Sequence, residues 1–391
     1  MNGLDGSGEV RLEARHRPSG ENACFMGEGL SFGEYVRRTT AMLRRVYAGR
    51  GSAELEKAVA GNAPFESSPA GDAHSGSGKP YRRGVLLTHG LSGSPYYMRH
   101  LAAFFQRNGF RVMAVLLPGH GTQPGDLLDT RWQEWARAVR YGAERLAAEV
   151  DEMYLAGYSA GGALSLLQSA HDERVRGLFL FAPALEISAR ARWANLHKLY
   201  SWLSPENAWL RITPDRDLYK YESFCKNAAA QMYALTQALP QREINIPIFV
   251  VASADDVTVH AAATLRFMQQ ARHPHSRLVW YATQAPQGVA PHVEWINSAL
   301  PGQRILSSAH TAIVLPPEDE HYGAAGDYVN CLHYYPHDMR SYAMCHASGA
   351  DAWQGEVTEQ NLGRGLLRRL IYNPHYAAME ASMQKFIEGL R

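Results

Sequence analysis

No run of about 18 apolar residues occurs anywhere in the 391 residues, which excludes a transmembrane helix. The longest apolar stretches, such as 178–185, are strand-sized. Cysteine is scarce. The four residues Cys24, Cys225, Cys331 and Cys345 form neither a disulfide framework nor a paired CxxC metal site. Neither sign of charge dominates: 39 Lys and Arg meet 38 Asp and Glu, for a net +1. A nucleic-acid partner would ask for a basic footprint, so none is expected. The first ten residues are polar and glycine-rich where a secretory signal would be apolar, so a cytoplasmic location is the expectation. Cys331 and Cys345 are then read as free thiols, although an exported chain could pair them. What is present is 46% apolar residues, ample for one large or two modest domains. Histidine is abundant at 17.

Residues 1–80 read as an N-terminal tail, one helix and a linker, because 1–30 and 51–80 are rich in Gly, Ser, Ala and Pro. Ser31 and Glu34 form a capping box, followed by Phe32, Tyr35, Val36, Met42, Leu43, Val46 and Tyr47 at helical spacing. Arg37, Arg38, Arg44 and Arg45 occupy the other face. A helix packed on the domain with a solvated basic face is the simpler reading. Peripheral contact with an anionic membrane surface is the sharper one.

From residue 82 short apolar runs alternate with helical patterns. Strands are predicted at 84–88, 110–117, 153–158, 177–182 and 246–253. Between them lie a helix opened by Ser94-Pro95, one capped by Thr130 and Gln133, and one over 160–171. Such alternation predicts an α/β fold, a doubly wound and mostly parallel sheet. Residues 186–244 interrupt it with many aromatics and no strand-like run, and 316–372 form a second irregular block. A terminal helix carries Tyr376, Met379, Met383, Phe386, Ile387 and Leu390.

Gly157-Tyr158-Ser159-Ala160-Gly161 fits G-x-S-x-G between an apolar strand and a small-residue helix. That turn holds a serine in a strained conformation, with the glycines letting the backbones pass. The helix N-terminus behind it favours developing negative charge. An oxyanion hole needs two pre-aimed donors. The amide of Ala160 is one, and Leu91, after His89-Gly90, offers the other.

With Pro118-Gly119-His120-Gly121 added, these motifs resemble the α/β-hydrolase superfamily, nearest its carboxylesterase and monoacylglycerol-lipase branch with its serine-aminopeptidase-like body. The resemblance spans roughly 82–315 and the last helix. It implies a core of 81–185 and 245–391, a helical cap over 186–244, and the triad order Ser, acid, His. Asp255 in Asp255-Asp256-Val257 matches the family's acid, with Asp256 as the alternative. His310 in Ser307-Ser308-Ala309-His310 matches its base, though alanine stands where glycine is commoner; His292 is the rival. The stretch 282–303 is then an insertion or added strand. His89 and His120 read as loop histidines with structural work, and His260 as too close to the acid.

A cap in that position could line an acyl pocket, with Trp193, Trp202, Trp209 and Tyr221 as candidates. His321, His333, His337 and His346 with Cys331 and Cys345 match no common four-ligand zinc pattern, so no metal and no cofactor are expected. The expected activity is hydrolysis of small-molecule carboxylic esters with an apolar acyl chain of small to medium length, through an acyl-enzyme. The same triad would serve amides, peptides, thioesters or acyl transfer. A non-catalytic binding protein on a hydrolase fold is the alternative of another class.

Overall fold

The computed structural model describes residues 11–69, 77–191, 193–194, 204–240, 244–286, 292–347 and 349–390. Its strands are β1 (Phe65–Ser67), β2 (Tyr81–Thr88), β3 (Phe110–Val115), β4 (Val150–Tyr158), β5 (Val175–Phe181), β6 (Trp209–Arg211), β7 (Phe224–Cys225), β8 (Ile248–Ser253), β9 (Arg277–Ala282), β10 (Val293–Asn297), β11 (Trp353–Gly355) and β12 (Leu367–Arg369). The helices are α1 (Phe32–Val46), α2 (Ser52–Asn62), α3 (Arg99–Arg107), α4 (Trp132–Glu149), α5 (Ala160–Ser169), α6 (Lys226–Gln237), α7 (Ala261–Gln270), α8 (Met339–His346), α9 (Glu359–Leu362) and α10 (Tyr376–Glu388).

One sheet of eight strands organises the chain, in the order β1-β3-β2-β4-β5-β8-β9-β10. Only β1 runs antiparallel. Successive residues of a strand face opposite sides, and the two cores follow from that. Val85 and Leu87 of β2 pack with Phe105 of α3 and Met383 and Phe386 of α10. Leu86 packs on the other face with Trp135 and Leu146 of α4 and Leu164 of α5. Helices on both faces of a parallel sheet make this a doubly wound α/β fold, as expected.

Of four local expectations, three change and the third holds. The stretch 51–69 is no linker. It forms α2 and then β1, whose Phe65 pairs with Ala114 on the edge strand β3. Low apolar content misled here, because a short helix needs few buried side chains: Ala58 and Val59, with Leu55 at their edge, join a small cluster that includes Leu43 and Leu116. Second, Thr130 and Gln133 do not cap α4. Arg131 is the N-cap, Thr130 Oγ1 donates to the Asp126 carbonyl, and the Trp132 amide donates to Gln231 of α6. Third, α1 follows the simpler reading: it buries Phe32, Tyr35, Met42 and Leu43 against the body, while Arg44 pairs with Glu56 and Arg45 with Glu21 on its exposed face. Its apolar face is therefore spent on the protein rather than offered to a bilayer. Fourth, the only regular α-helix among the described residues of the expected cap, 186–244, is α6, accompanied by the β6–β7 ribbon. Among the described residues no helix is long and apolar enough to cross a membrane.

Cys331 and Cys345 are joined in a disulfide across a separation of 14 residues, with Cα atoms 6.1 Å apart. The expected free thiols are corrected to a bridge tying Cys345 of α8 to Cys331 within the 316–372 block. Cys24 is exposed and Cys225 buried, both as thiols. Alkylation of the unfolded, unreduced protein should therefore modify two cysteines, rising to four after reduction; four before reduction would contradict the bridge.

Candidate active site

Ser159 stands between the C-terminal end of β4 and the first residue of α5, at φ 55° and ψ −114°. A positive φ at a non-glycine residue costs on the order of 1–3 kcal/mol and persists only where its surroundings enforce it. Here the enforcement is close packing. A Cβ on Gly157 would sit 2.1 Å from the Gly161 carbonyl oxygen, and one on Gly161 would sit 2.0 Å from that of Thr88. The Ser159 amide donates to the Phe181 carbonyl of β5 at 2.9 Å, and its carbonyl accepts from Gly162 and Ala184. The hydroxyl is thereby held over the C-terminal edge of the sheet.

His310 Nε2 lies 2.9 Å from Ser159 Oγ, and Nδ1 lies 2.6 Å from Asp256 Oδ2. With Nδ1–H donating to the carboxylate, Nε2 is left as acceptor for the serine hydroxyl. The partner is Asp256, not Asp255. The Asp256 side chain turns toward His310, its Oδ1 accepting the amides of Thr258 at 2.8 Å and Val259 at 3.0 Å. Asp255 turns the other way and accepts from Ser298 Oγ at 2.8 Å, beyond the end of β10. Two consecutive residues at a turn cannot both face one imidazole. Electrostatics separate them as well. Burial raises both carboxyls, but His310 and the turn amides hold Asp256 below its ordinary value, whereas Asp255 stays raised. The rival His292 lies at the opposite end of the sheet, where its carbonyl accepts from Leu278 as β10 begins.

The 316–372 block reaches this site, which its sequence did not suggest. The His310 amide donates to Glu356 Oε2 at 3.1 Å. Glu356 is fully buried, and Arg369 clasps it through Nε at 2.7 Å and Nη2 at 2.9 Å. Arg369 Nη2 also donates to Thr258 Oγ1 at 2.8 Å, in the Asp256 turn. Despite burial, which works the other way, Glu356 raises the Arg369 pKa. Tyr158 adds a bond from its hydroxyl to the His310 carbonyl at 3.0 Å. A paired arginine inside Leu366-Leu367-Arg368-Arg369-Leu370-Ile371 was the available signal, since an apolar run rarely tolerates an unpaired charge.

Ser159 and His310 open into a cavity of about 330 Å³ whose wall includes Leu91, Ile187, Tyr221, Phe224 and Met232. Leu91 and Ala160 thus flank the serine, Ala160 contributing one of the first-turn amides that a helix leaves unpaired. Of the four aromatic candidates, Tyr221 lines the cavity, with its hydroxyl accepting the Thr122 amide at 2.7 Å. Trp209 is buried away from it, edge-on to His16 at 5.1 Å. Trp193 is 57% exposed and absent from the wall. Trp202 lies outside the described residues. His89 accepts the Leu117 amide at 3.1 Å and packs 5.1 Å from His120, and burial lowers the pKa of both rings. His260 N-caps α7 and lies beside Glu186.

A parallel-sheet hydrolase with a serine elbow, an imidazole and a carboxylate in line is the class this arrangement defines. Residues 79–285 match the family described as serine aminopeptidase, S33, and the chain belongs to that family. A stretch of 108 residues, 28% of this chain, is 34% identical to a thermostable monoacylglycerol lipase of Bacillus sp. strain H-257, of which it spans 43%. A longer stretch of 212 residues, 51% of the chain, is 24% identical to a carboxylesterase of Bacillus subtilis strain 168 and spans 82% of it. Among solved structures, a metagenome-derived lipolytic enzyme is similar at 24% identity and a TM-score of 0.46, over 56% of this chain and 87% of its own.

Removing the partner of a buried charge costs about 3–5 kcal/mol. Arg369→Met should lower unfolding stability by about that much in urea, and Glu356→Gln in the same background should recover a large part. A loss below about 1 kcal/mol, or full additivity of the two changes, would count against the clasp.

Proposed function

We propose that the protein is a serine ester hydrolase acting on small-molecule carboxylic esters through an acyl-enzyme. The observation that carries this reading is the unbroken line from Ser159 Oγ through His310 to Asp256, with contacts of 2.9 and 2.6 Å, opening into a largely apolar cavity. Ser159 attacks the carbonyl while His310 Nε2 takes its proton, and Asp256 stabilises the imidazolium. The amides of Leu91 and Ala160 meet the oxyanion, aided by the positive end of α5. His310 then protonates the leaving alcohol and activates the water that releases the acid.

Cavity size supports a small to medium acyl chain, since about 330 Å³ is at the lower end for ligand sites. Leu91, Ile187, Phe224 and Met232 supply the apolar wall for it. A peptide N-terminus is the poorer fit. Its ammonium would need an available carboxylate, yet Glu356 is committed to Arg369 and Glu222 to the Tyr328 hydroxyl and the Arg216 amide. A purely binding role leaves the strained serine and its buried partners without a reason.

Fluorophosphonate labelling together with turnover of a short-chain ester tests the assignment. Ser159→Ala should abolish labelling. Asp256→Asn should cut kcat by about 10⁴, with a smaller effect from Asp255→Asn, and His310→Ala should stop turnover while His292→Ala leaves it intact. Labelling that survives Ser159→Ala, or a deeper loss from Asp255→Asn than from Asp256→Asn, would overturn it.

A further inference from the structure

The cavity at Ser159 continues into a second chamber of about 280 Å³, and the two share Tyr97, Arg211, Lys220, Tyr221, Thr258 and Arg369. The far wall comes from the 316–372 block, through Tyr322, Tyr328, Asn330, His333 and Glu356. Its carboxylates are spoken for. Asp217 receives the Tyr322 hydroxyl at 2.7 and 2.8 Å, the Tyr219 amide at 2.9 Å and His321 Nε2 at 3.3 Å. Glu222 receives the Tyr328 hydroxyl at 2.6 Å and the Arg216 amide at 2.9 Å. Glu356 holds Arg369, the His310 amide and the Val357 amide.

The cationic donors are not. The Lys220 ammonium makes no hydrogen bond or ion pair among the described residues, and Arg211 commits only Nε, to the Glu222 carbonyl at 3.1 Å. A half-enclosed chamber with committed carboxylates and uncommitted cations complements a group that brings its own anionic oxygens.

We propose that this chamber binds a carboxylate or phosphate on the alcohol half of the ester, with Lys220 and Arg211 as its ligands and the acyl chain in the apolar cavity beside Ser159. This rests on the esterase reading and names the substrate class of that site. Burial, with help from Arg369 and Arg211, pushes the Lys220 ammonium down to about 8 against the opposing pull of Asp217 and Glu222. His333, on the same wall, is held down to about 4, so it is uncharged near neutral pH. The lysine is charged below about pH 8 and loses its proton above it, so a preference for anionic esters in kcat/KM should fade as pH rises through that value.

Octanoyl esters of glycerol, glycerol phosphate and glycolate supply a neutral reference, a phosphate and a carboxylate with one acyl chain. Expected is a kcat/KM at pH 7 about tenfold or more higher for at least one anionic ester than for octanoyl glycerol, the size of a charge-assisted hydrogen bond. Which ester gains tells phosphate from carboxylate. Lys220→Met should lower that ratio about tenfold, chiefly through KM, and Lys220→Arg should retain most of it. In parallel, octyl phosphate and octanoate should bind Ser159→Ala by calorimetry, and more weakly once Lys220→Met is added. A wild type that turns over octanoyl glycerol but prefers neither anion, or a ratio untouched by Lys220→Met, overturns the chamber's role and leaves the esterase standing. Failure to hydrolyse all three esters while the octyl anions still bind through Lys220 instead removes the esterase reading and with it the proposed substrate.

Discussion

A fully buried glutamate holds the reactive end of this molecule together. Glu356 accepts the backbone amide of His310 on one oxygen and is clasped on both by Arg369, which in turn bonds Thr258. Three loops distant in sequence therefore meet at one carboxylate: the loop of the base, the turn of Asp256 and the 316–372 block. Burying a glutamate and an arginine is expensive, and only near-complete hydrogen bonding recovers the desolvation. Every oxygen and most donors of this pair are engaged, so displacing any one loop leaves a buried charge exposed to nothing. That is a strong reason for His310 to stay within reach of Ser159.

The same constraint explains why a segment without any family resemblance is part of the site. β11 runs beside 304–306, with the Leu306 amide donating to the Gln354 carbonyl at 2.8 Å, so the chain entering the base loop is stitched to the block just before Glu356. The disulfide fixes the block's outer part at α8, and Tyr328 and Tyr322 reach from it to Glu222 and Asp217 across the chamber. Loops carry function when a rigid scaffold positions them; here the scaffold under one loop is another irregular segment made rigid by a bridge and buried ion pairs.

How much of this was legible follows from the range of each interaction. The strand–helix alternation and the serine elbow are local: apolar runs of strand length, and glycines at 157 and 161 where a Cβ would collide with backbone, announce themselves in a window of ten residues. His310 was legible through its small-residue loop. The choice between Asp255 and Asp256 was not, because it depends on which way a turn rotates and on Ser298, more than forty residues later, claiming the first of the two. Glu356, Arg369 and Lys220 depend wholly on long-range pairing. The aromatic cap misled in a different manner. Size and apolarity cannot tell a pocket wall from a packing residue, so Tyr221 faces the cavity while Trp209 packs on His16.

Net charge is silent on such a chamber for a related reason. A sum near zero describes the field far from the protein, where opposite charges cancel. Inside a chamber a few ångströms across, what matters is which donors and acceptors a neighbour has already engaged. Arg369, with Glu356, contributes almost no net field there, while Asp217 and Glu222 spend their lone pairs on tyrosine hydroxyls and amides. The cationic donors that remain unengaged among the described residues are Lys220 and the two Nη groups of Arg211. The apolar cavity at Ser159 and the second chamber meet at the wall they share, which includes Lys220, Arg211 and Arg369, and in the proposed binding mode hydrocarbon and charged group would lie on opposite sides of that wall.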